Sequence, residues 1–269
     1  MRLHRSVASL ASLALSGLAS TCANAQLDLT VGGIASPLDF SDRYALVSPS
    51  PQNVTFAPDP TGTGRTVLLM SVNETDERVF GGLRAQVSVR NEYIKEGVRW
   101  YGFSFYILPN WVASPTSTIL VQISTSQKTA VLQPPLTVVA RGTDLFLESH
   151  SNTRAVDALD GATKSNSAER ITKLGPIRKG QWTCLVVNAD WSHQPLAGSI
   201  KVWMNGAVVF EEANEPNSYE TWLGNNPRVG LYAPGSLGTA TRALYADFIW
   251  LGGTTTRFED IHDRTPCKR

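Results

Sequence analysis

The sequence predicts an all-β protein, with antiparallel sheets packed as a β-sandwich or jelly roll. Three observations lead there. Apolar and polar residues alternate with period two over many short segments, Gly, Pro, Asn and Asp separate those segments, and no long stretch carries the apolar spacing of an amphipathic helix. Strands packed this densely, with no helices to carry crossovers, pair antiparallel.

In chain order the alternation marks strands over residues 66–72, 82–90, 99–108, 118–124, 136–140, 144–148, 182–190, 199–204, 207–211, 228–232 and 243–251. Asn205-Gly206 sits between two apolar runs and marks a tight hairpin, because both central residues of such a turn take positive φ. Residues 153–170 are polar and read as a long loop with at most a short helix.

The first 25 residues read as a secretory leader. Arg2 and Arg5 form its basic start, residues 7–18 its apolar run, and Ala23-Asn24-Ala25 its cleavage pattern, so the mature chain is expected to begin at Gln26. The run is too short to span a bilayer. Cys22 raises a lipid anchor as the alternative, which Thr21 before it fits poorly. Residues 26–269 show no linker, repeat or low-complexity tract and are expected to form one domain, a monomer with no membrane partner.

Losing Arg2 and Arg5 lowers 24 basic residues to 22, against 23 acidic ones. That balance argues against nucleic acid, which calls for a basic face, yet leaves room for a polyanion wherever cations gather in one groove. Cys184 and Cys267 remain after cleavage, and an even pair in an oxidising compartment reads as one disulfide tying the tail to a mid-chain strand. Asn53 and Asn73 head Asn-x-Thr acceptor sites for a eukaryotic host.

Alternation also sorts residues onto faces. Leu83, Ala85, Val87 and Val89 point to the core, which puts Arg84, Gln86, Ser88 and Arg90 together on the opposite face. Guanidinium and amide groups so arranged suit carboxylates or sulfates; a solvated sheet face is the plainer alternative. On the next strand Tyr101, Phe103, Phe105 and Ile107 turn inward and Trp100, Gly102, Ser104 and Tyr106 outward. Outward rings serve as sugar-stacking platforms or pack beneath a loop. Ile119, Val121 and Ile123 form the apolar set of their strand, leaving Gln122 and Ser124 on the polar face. Arg228 and Tyr232 share the polar face of a later strand, about 13 Å apart along it, and a tyrosine beside a cation is equipped for proton transfer.

The histidines His150, His193 and His262 have no metal-ligand spacing, so no metal site is expected, and no nucleophile elbow or phosphate loop is present. Glu92 and Glu148 are conceivable paired acids, though sequence spacing cannot establish their separation.

The strands in order resemble the polysaccharide lyase family that includes heparinase I and the glucuronan lyases. Arg84-Ala85-Gln86-Val87, the run from Gly97 through Trp100-Tyr101-Gly102-Phe103-Ser104 to Tyr106, and Ile119-Leu120-Val121-Gln122-Ile123 carry the likeness. It continues through Gly180-Gln181-Trp182, Asp190-Trp191-Ser192, Val202-Trp203-Met204-Asn205-Gly206, Arg228-Val229-Gly230-Leu231-Tyr232 and Tyr245-Ala246-Asp247-Phe248. The resemblance implies a jelly roll with a groove on its concave sheet, acting on an acidic polysaccharide by β-elimination at a uronate; no cofactor is expected, and a structural calcium ion is left open. It implies Tyr232, Gln122 and Arg84 as catalytic residues. Arg90, Gln86, Trp100, Tyr106, Ser124, Arg228 and His150 are expected to bind substrate. Three positions depart from the family: Ser124 stands where it has His, Gln86 where it has Glu, and Arg228 where it has Lys. His150 is the one candidate to replace the missing base, with an exposed loop histidine as the plainer reading. A noncatalytic carbohydrate-binding sandwich is the alternative to the lyase.

Overall fold

Alternating strands of this kind bury one face each, and the computed structural model, which describes residues 37–126, 132–154 and 167–268, shows how they do so. The expected leader, its cleavage site and most of the polar stretch 153–170 lie outside the described residues. Helix α1 (Pro37–Arg43) leads into β1 (Tyr44–Val47), β2 (Val54–Pro58), β3 (Thr66–Asn73), β4 (Leu83–Val89), β5 (Gly97–Ile107), β6 (Ser114–Ser126), β7 (Leu136–Gly142) and β8 (Asp144–Ser151). The chain continues through β9 (Ala168–Pro176), β10 (Trp182–Trp191), β11 (Ser199–Met204), β12 (Ala207–Ala213), β13 (Gly224–Ala233), β14 (Thr241–Ala246) and β15 (Trp250–Gly252) to helix α2 (Phe258–His262). No helix among the described residues is long and apolar enough to cross a membrane.

The first sheet runs β1-β4-β13-β6-β7-β8-β9 and the second β12-β11-β10-β5-β14-β3-β2, with β15 also paired to β5. The named strands pair antiparallel throughout. Leu83, Ala85 and Val87 of β4, Val229 and Leu231 of β13, and Tyr101, Phe103, Phe105 and Ile107 of β5 fill the space between the sheets. Each such large side chain contributes about 1.5–3 kcal/mol by leaving water.

Three strands lack the expected alternation. β1 and β2 are short strands at sheet edges, and β9 closes the first sheet with one neighbour, so its residues are mostly exposed and the sequence reads as loop. The expected strand 243–251 divides, its halves β14 and β15 pairing with different stretches of β5. Asn205 and Gly206 make the predicted hairpin with φ of +53° and +87°. Cys184 on β10 is bonded to Cys267 beyond α2, the Cα atoms 6.1 Å apart. Asn53 is no glycan acceptor in this fold, since its buried amide donates to Ser71 O and Asp76 Oδ2.

Candidate active site

The outer face of the first sheet carries polar side chains that water barely reaches. Two cross-strand rows define it. Ser88 on β4, Arg228 on β13, Gln122 on β6, Thr137 on β7 and Glu148 on β8 stand side by side in register. At a strand spacing of about 4.8 Å this row spans about 19 Å. The second row joins Arg84, Tyr232, Ile119, Val139 and Phe146. Ile119 reaches it because the register shifts between Ile119 and Val121, which sends Leu120 and Val121 to the core and corrects the expectation that Ile119 is a core residue.

Gln86 is fully buried, Gln122 is 5% exposed and Thr137 1% exposed, so this outward face is recessed. Gln86 Nε2, Gln122 Oε1, Ser124 Oγ, Thr137 Oγ1 and Arg228 Nε have no hydrogen-bond partner among the described residues. A buried polar atom without a partner costs about 1–3 kcal/mol. Five on one recessed face suit a ligand rich in hydroxyl and carboxylate oxygens.

Arg84 organises one end. Its Nε donates to Val79 O and its Nη1 to Gln86 Oε1, both at 2.9 Å. Its Cζ lies 3.4 Å from the centre of the Tyr232 ring. Burial lowers the Arg84 pKa, against the charge and hydrogen-bond interactions with Tyr232 that raise it. Arg228 is brought to about 10, by burial first and then by repulsion from Arg84, with Tyr93 opposing. Two glycines make the Tyr232 end possible. A Cβ on Gly230, whose φ is +129°, would meet Met70 Sδ at 2.5 Å and Gln86 Cα at 2.9 Å. One on Gly82 would strike the Tyr232 ring and come within 2.6 Å of Ala233 O.

The other expected site residues fall into three groups. Ser124 lies on the same face, paired with Asn226, which is buried and donates to Val89 O and Glu92 O at 2.8 Å. Trp100 and Tyr106 do not reach this face, a correction to the expected groove. β5 belongs to the second sheet, and their outward side is a packing surface there. Trp100 stacks on Trp203 at 5.7 Å, and Tyr106 packs edge-on against Trp182 and Tyr245 beside the disulfide. Arg90 lies one residue past the end of β4, where its Nε donates to Ser41 O, so it braces the α1 segment instead of joining the rows.

His150 corrects both expectations made for it. It is a buried residue of β8, not an exposed loop histidine. Its Nδ1 lies 3.0 Å from Pro134 O and its Nε2 3.1 Å from Glu169 Oε1, so neither nitrogen is open to a substrate proton. The paired acids separate likewise. Glu92 is bound by Arg99 in the β4–β5 connection, and Glu148 by Arg141 on the site face. Among the described residues no three His, Cys, Asp or Glu side chains converge on a metal position.

Sequence reasoning passed over Thr137 and Asn226. Thr137 was accessible through its neighbours, since Leu136, Val138 and Ala140 alternate as core residues around it. Asn226 was hidden because Pro227 interrupts the strand pattern.

A glucuronan lyase from the fungus Trichoderma reesei superposes with a TM-score of 0.63 at 22% identity, covering 77% of this chain and 88% of that one. The family-7 alginate lyase A1-II' gives 0.53 at 12% identity, with 78% and 94% covered. An alginate lyase from Pseudomonas aeruginosa gives 0.54 at 14%, with 79% and 98% covered. At these identities the likeness is one of fold. A search of curated proteins finds no match. The polysaccharide lyase family model matches residues 30–249, most of the sequence. This chain belongs to the polysaccharide lyase family and is a lyase acting on polysaccharides.

Proposed function

We propose that this lyase is secreted and cleaves a uronate-containing acidic polysaccharide by β-elimination. The observation that carries the reading is that Tyr232 and Arg84 share one recessed face with Gln86, Gln122 and Arg228, whose Nε2, Oε1 and Nε atoms respectively have no hydrogen-bond partner among the described residues. The chemistry removes the proton on C5, moves its electron pair into a C4=C5 double bond, and breaks the C4–O4 bond, with a proton delivered to O4. It requires that the C6 carboxylate be held and its charge spread, because C5–H is otherwise too weak an acid. The amides and Arg228 are suited to grip that carboxylate, and preorganised donors act most strongly where water is excluded. Tyr232 is the proton-transfer group in this reading, for the C5 proton, for O4 or for both in turn. Ser124 offers a hydroxyl where the family resemblance implies an imidazole, which leaves the tyrosine to carry that work.

The substrate class is supported by the solved neighbours, which act on glucuronan and alginate. Secretion is supported by the leader-like first 25 residues and by the disulfide, which suits an oxidising compartment. The test is incubation with glucuronan, alginate, heparin and pectate while following the ultraviolet absorbance of the unsaturated uronate product. Tyr232→Phe, which keeps the ring and loses the hydroxyl, is expected to lower kcat by about 10²–10⁴-fold. No product from any polymer, with slowed migration in a gel containing one of them, would mean a protein that binds without cutting.

A further inference from the structure

Just before β4 the chain reverses in two residues. Val79 N–H donates to Gly82 O at 2.9 Å and Gly82 N–H returns to Val79 O at 3.3 Å. Between them Phe80 and Gly81 take φ of +49° and +79°. Two successive positive φ values mark the turn class that prefers Asn, Asp or Gly at its first position, because a larger side chain is crowded there. Phe80 occupies that position with 79% of its surface exposed. It gains almost nothing by packing and bears a backbone cost, and strain retained at an exposed position is a mark of use.

The turn is anchored to the site. Arg84 holds Val79 O, and its Cζ lies 6.0 Å from the centre of the Phe80 ring and 3.4 Å from that of the Tyr232 ring. Gly82 lets the turn press against Tyr232, where a Cβ would not fit. The turn that carries the exposed ring is therefore held against the strand end where Tyr232 stands, with Arg84 in reach of both rings. An open aromatic face is a partner for the C–H face of a pyranose, whose weakly positive hydrogens meet the negative π surface. A β-1,4-uronan linked through equatorial bonds is a flat ribbon that can lay such a face on the ring. Polyguluronate, linked through axial bonds, is buckled and cannot.

We propose that Phe80 is a substrate-binding residue that stacks on the sugar adjoining the one presented to Tyr232 and favours equatorially linked β-1,4-uronans. The proposal rests on the uronan-cleaving reading of this face. The test compares wild type, Phe80→Asn and Phe80→Tyr on glucuronan and on polyguluronate. Asparagine suits the turn, so Phe80→Asn is expected to raise Tm by about 1–3 °C. It should raise KM for glucuronan about tenfold and change kcat less than about twofold, the signature of lost ground-state binding. Phe80→Tyr should restore KM, and any cleavage of polyguluronate should be indifferent to both changes. An unchanged KM for glucuronan in Phe80→Asn would overturn the proposal, as would a lowered Tm with kcat and KM lost together. If wild type releases no unsaturated product, the lyase reading fails instead, and retardation in a glucuronan gel then decides: weaker for Phe80→Asn supports stacking, equal retardation or none in wild type rejects it.

Discussion

The guanidinium of Arg84 lies against the face of the Tyr232 ring, Cζ 3.4 Å from its centre, while Nε and Nη1 are taken up by Val79 O and Gln86 Oε1. Arg84 is thus a positioning residue in the main. It packs on the ring that carries the hydroxyl and orients the Gln86 amide, whose buried Nε2 has no partner among the described residues.

Shape rather than charge is what that position needs, and Arg84→Lys separates them. Lysine keeps the cation but loses the planar stack and the fork of donors. Expected is a fall in kcat of about tenfold or more with KM for the polymer changed much less, because the tyrosine is displaced while the carboxylate grip remains. If Arg84 acts by charge alone, Arg84→Lys retains full kcat.

Gly82→Ala probes the same ring from the other side. The new methyl would run into Tyr232 and Ala233 O, so either the ring or the 79–82 turn must move. A misplacement of about 1 Å at a proton-transfer group is worth about 10²-fold in rate. We expect kcat to fall by that order while the substitution lowers Tm by only a few degrees, read by circular dichroism. Full kcat would show that the turn moves and the ring does not.

Much of this face was legible in the sequence because alternation is local. Arg84 and Gln86 share a face for the same reason that Leu83 and Ala85 share the core, and Gln122, Arg228 and Tyr232 follow the same rule. What a single strand cannot reveal is its sheet. Trp100 and Tyr106 alternate with core residues just as Arg84 does, yet β5 pairs with β10, Trp100 opposite Asn188, so their outward side faces away from the site. Pairing over such separations is set by the whole fold. Register slips are equally silent: Ile119 changes face through one irregularity that no residue type announces. β9 was missed because only Leu174 of this edge strand reaches the core, too little to set up an alternation.

If Arg228 grips the substrate carboxylate as proposed, it sets an alkaline limit on the site. Burial and Arg84 bring its pKa to about 10, so its charge is present at neutral pH and is lost as pH rises through that value. KM for a polyuronate should therefore rise above about pH 10, and in Arg228→Lys the rise should begin lower, since a buried ammonium starts from about 10.4 and falls with desolvation. The effect on folding has the opposite sign. The charged form is disfavoured in the folded chain, so this cost is fully present below about pH 10 and fades towards the unfolded value of about 12.5. Arg228→Gln should thus raise Tm at pH ~7 more than at pH ~10.5. A KM flat across that interval would show that Arg228 does not contact the substrate.

The disulfide supplies the converse case, stability without chemistry. Cys184 faces outward on β10 opposite Ser104, on the sheet that carries none of the site rows. With a sequence separation of 83, the chain-entropy model assigns the bond about 4–5 kcal/mol through the unfolded state. A domain of this size loses about 2–4 °C of Tm per kcal/mol, so the double variant Cys184→Ala, Cys267→Ala should melt about 10 °C or more below wild type. Ser104, Tyr106 and Trp182 around the bond belong to the second sheet, whereas Tyr232 and Arg84 belong to the first, so kcat and KM measured well below the lowered Tm should match wild type. A loss of kcat at such a temperature would show that the second sheet sets the geometry of the first, and would place the determinants of Tyr232's position in the core between them.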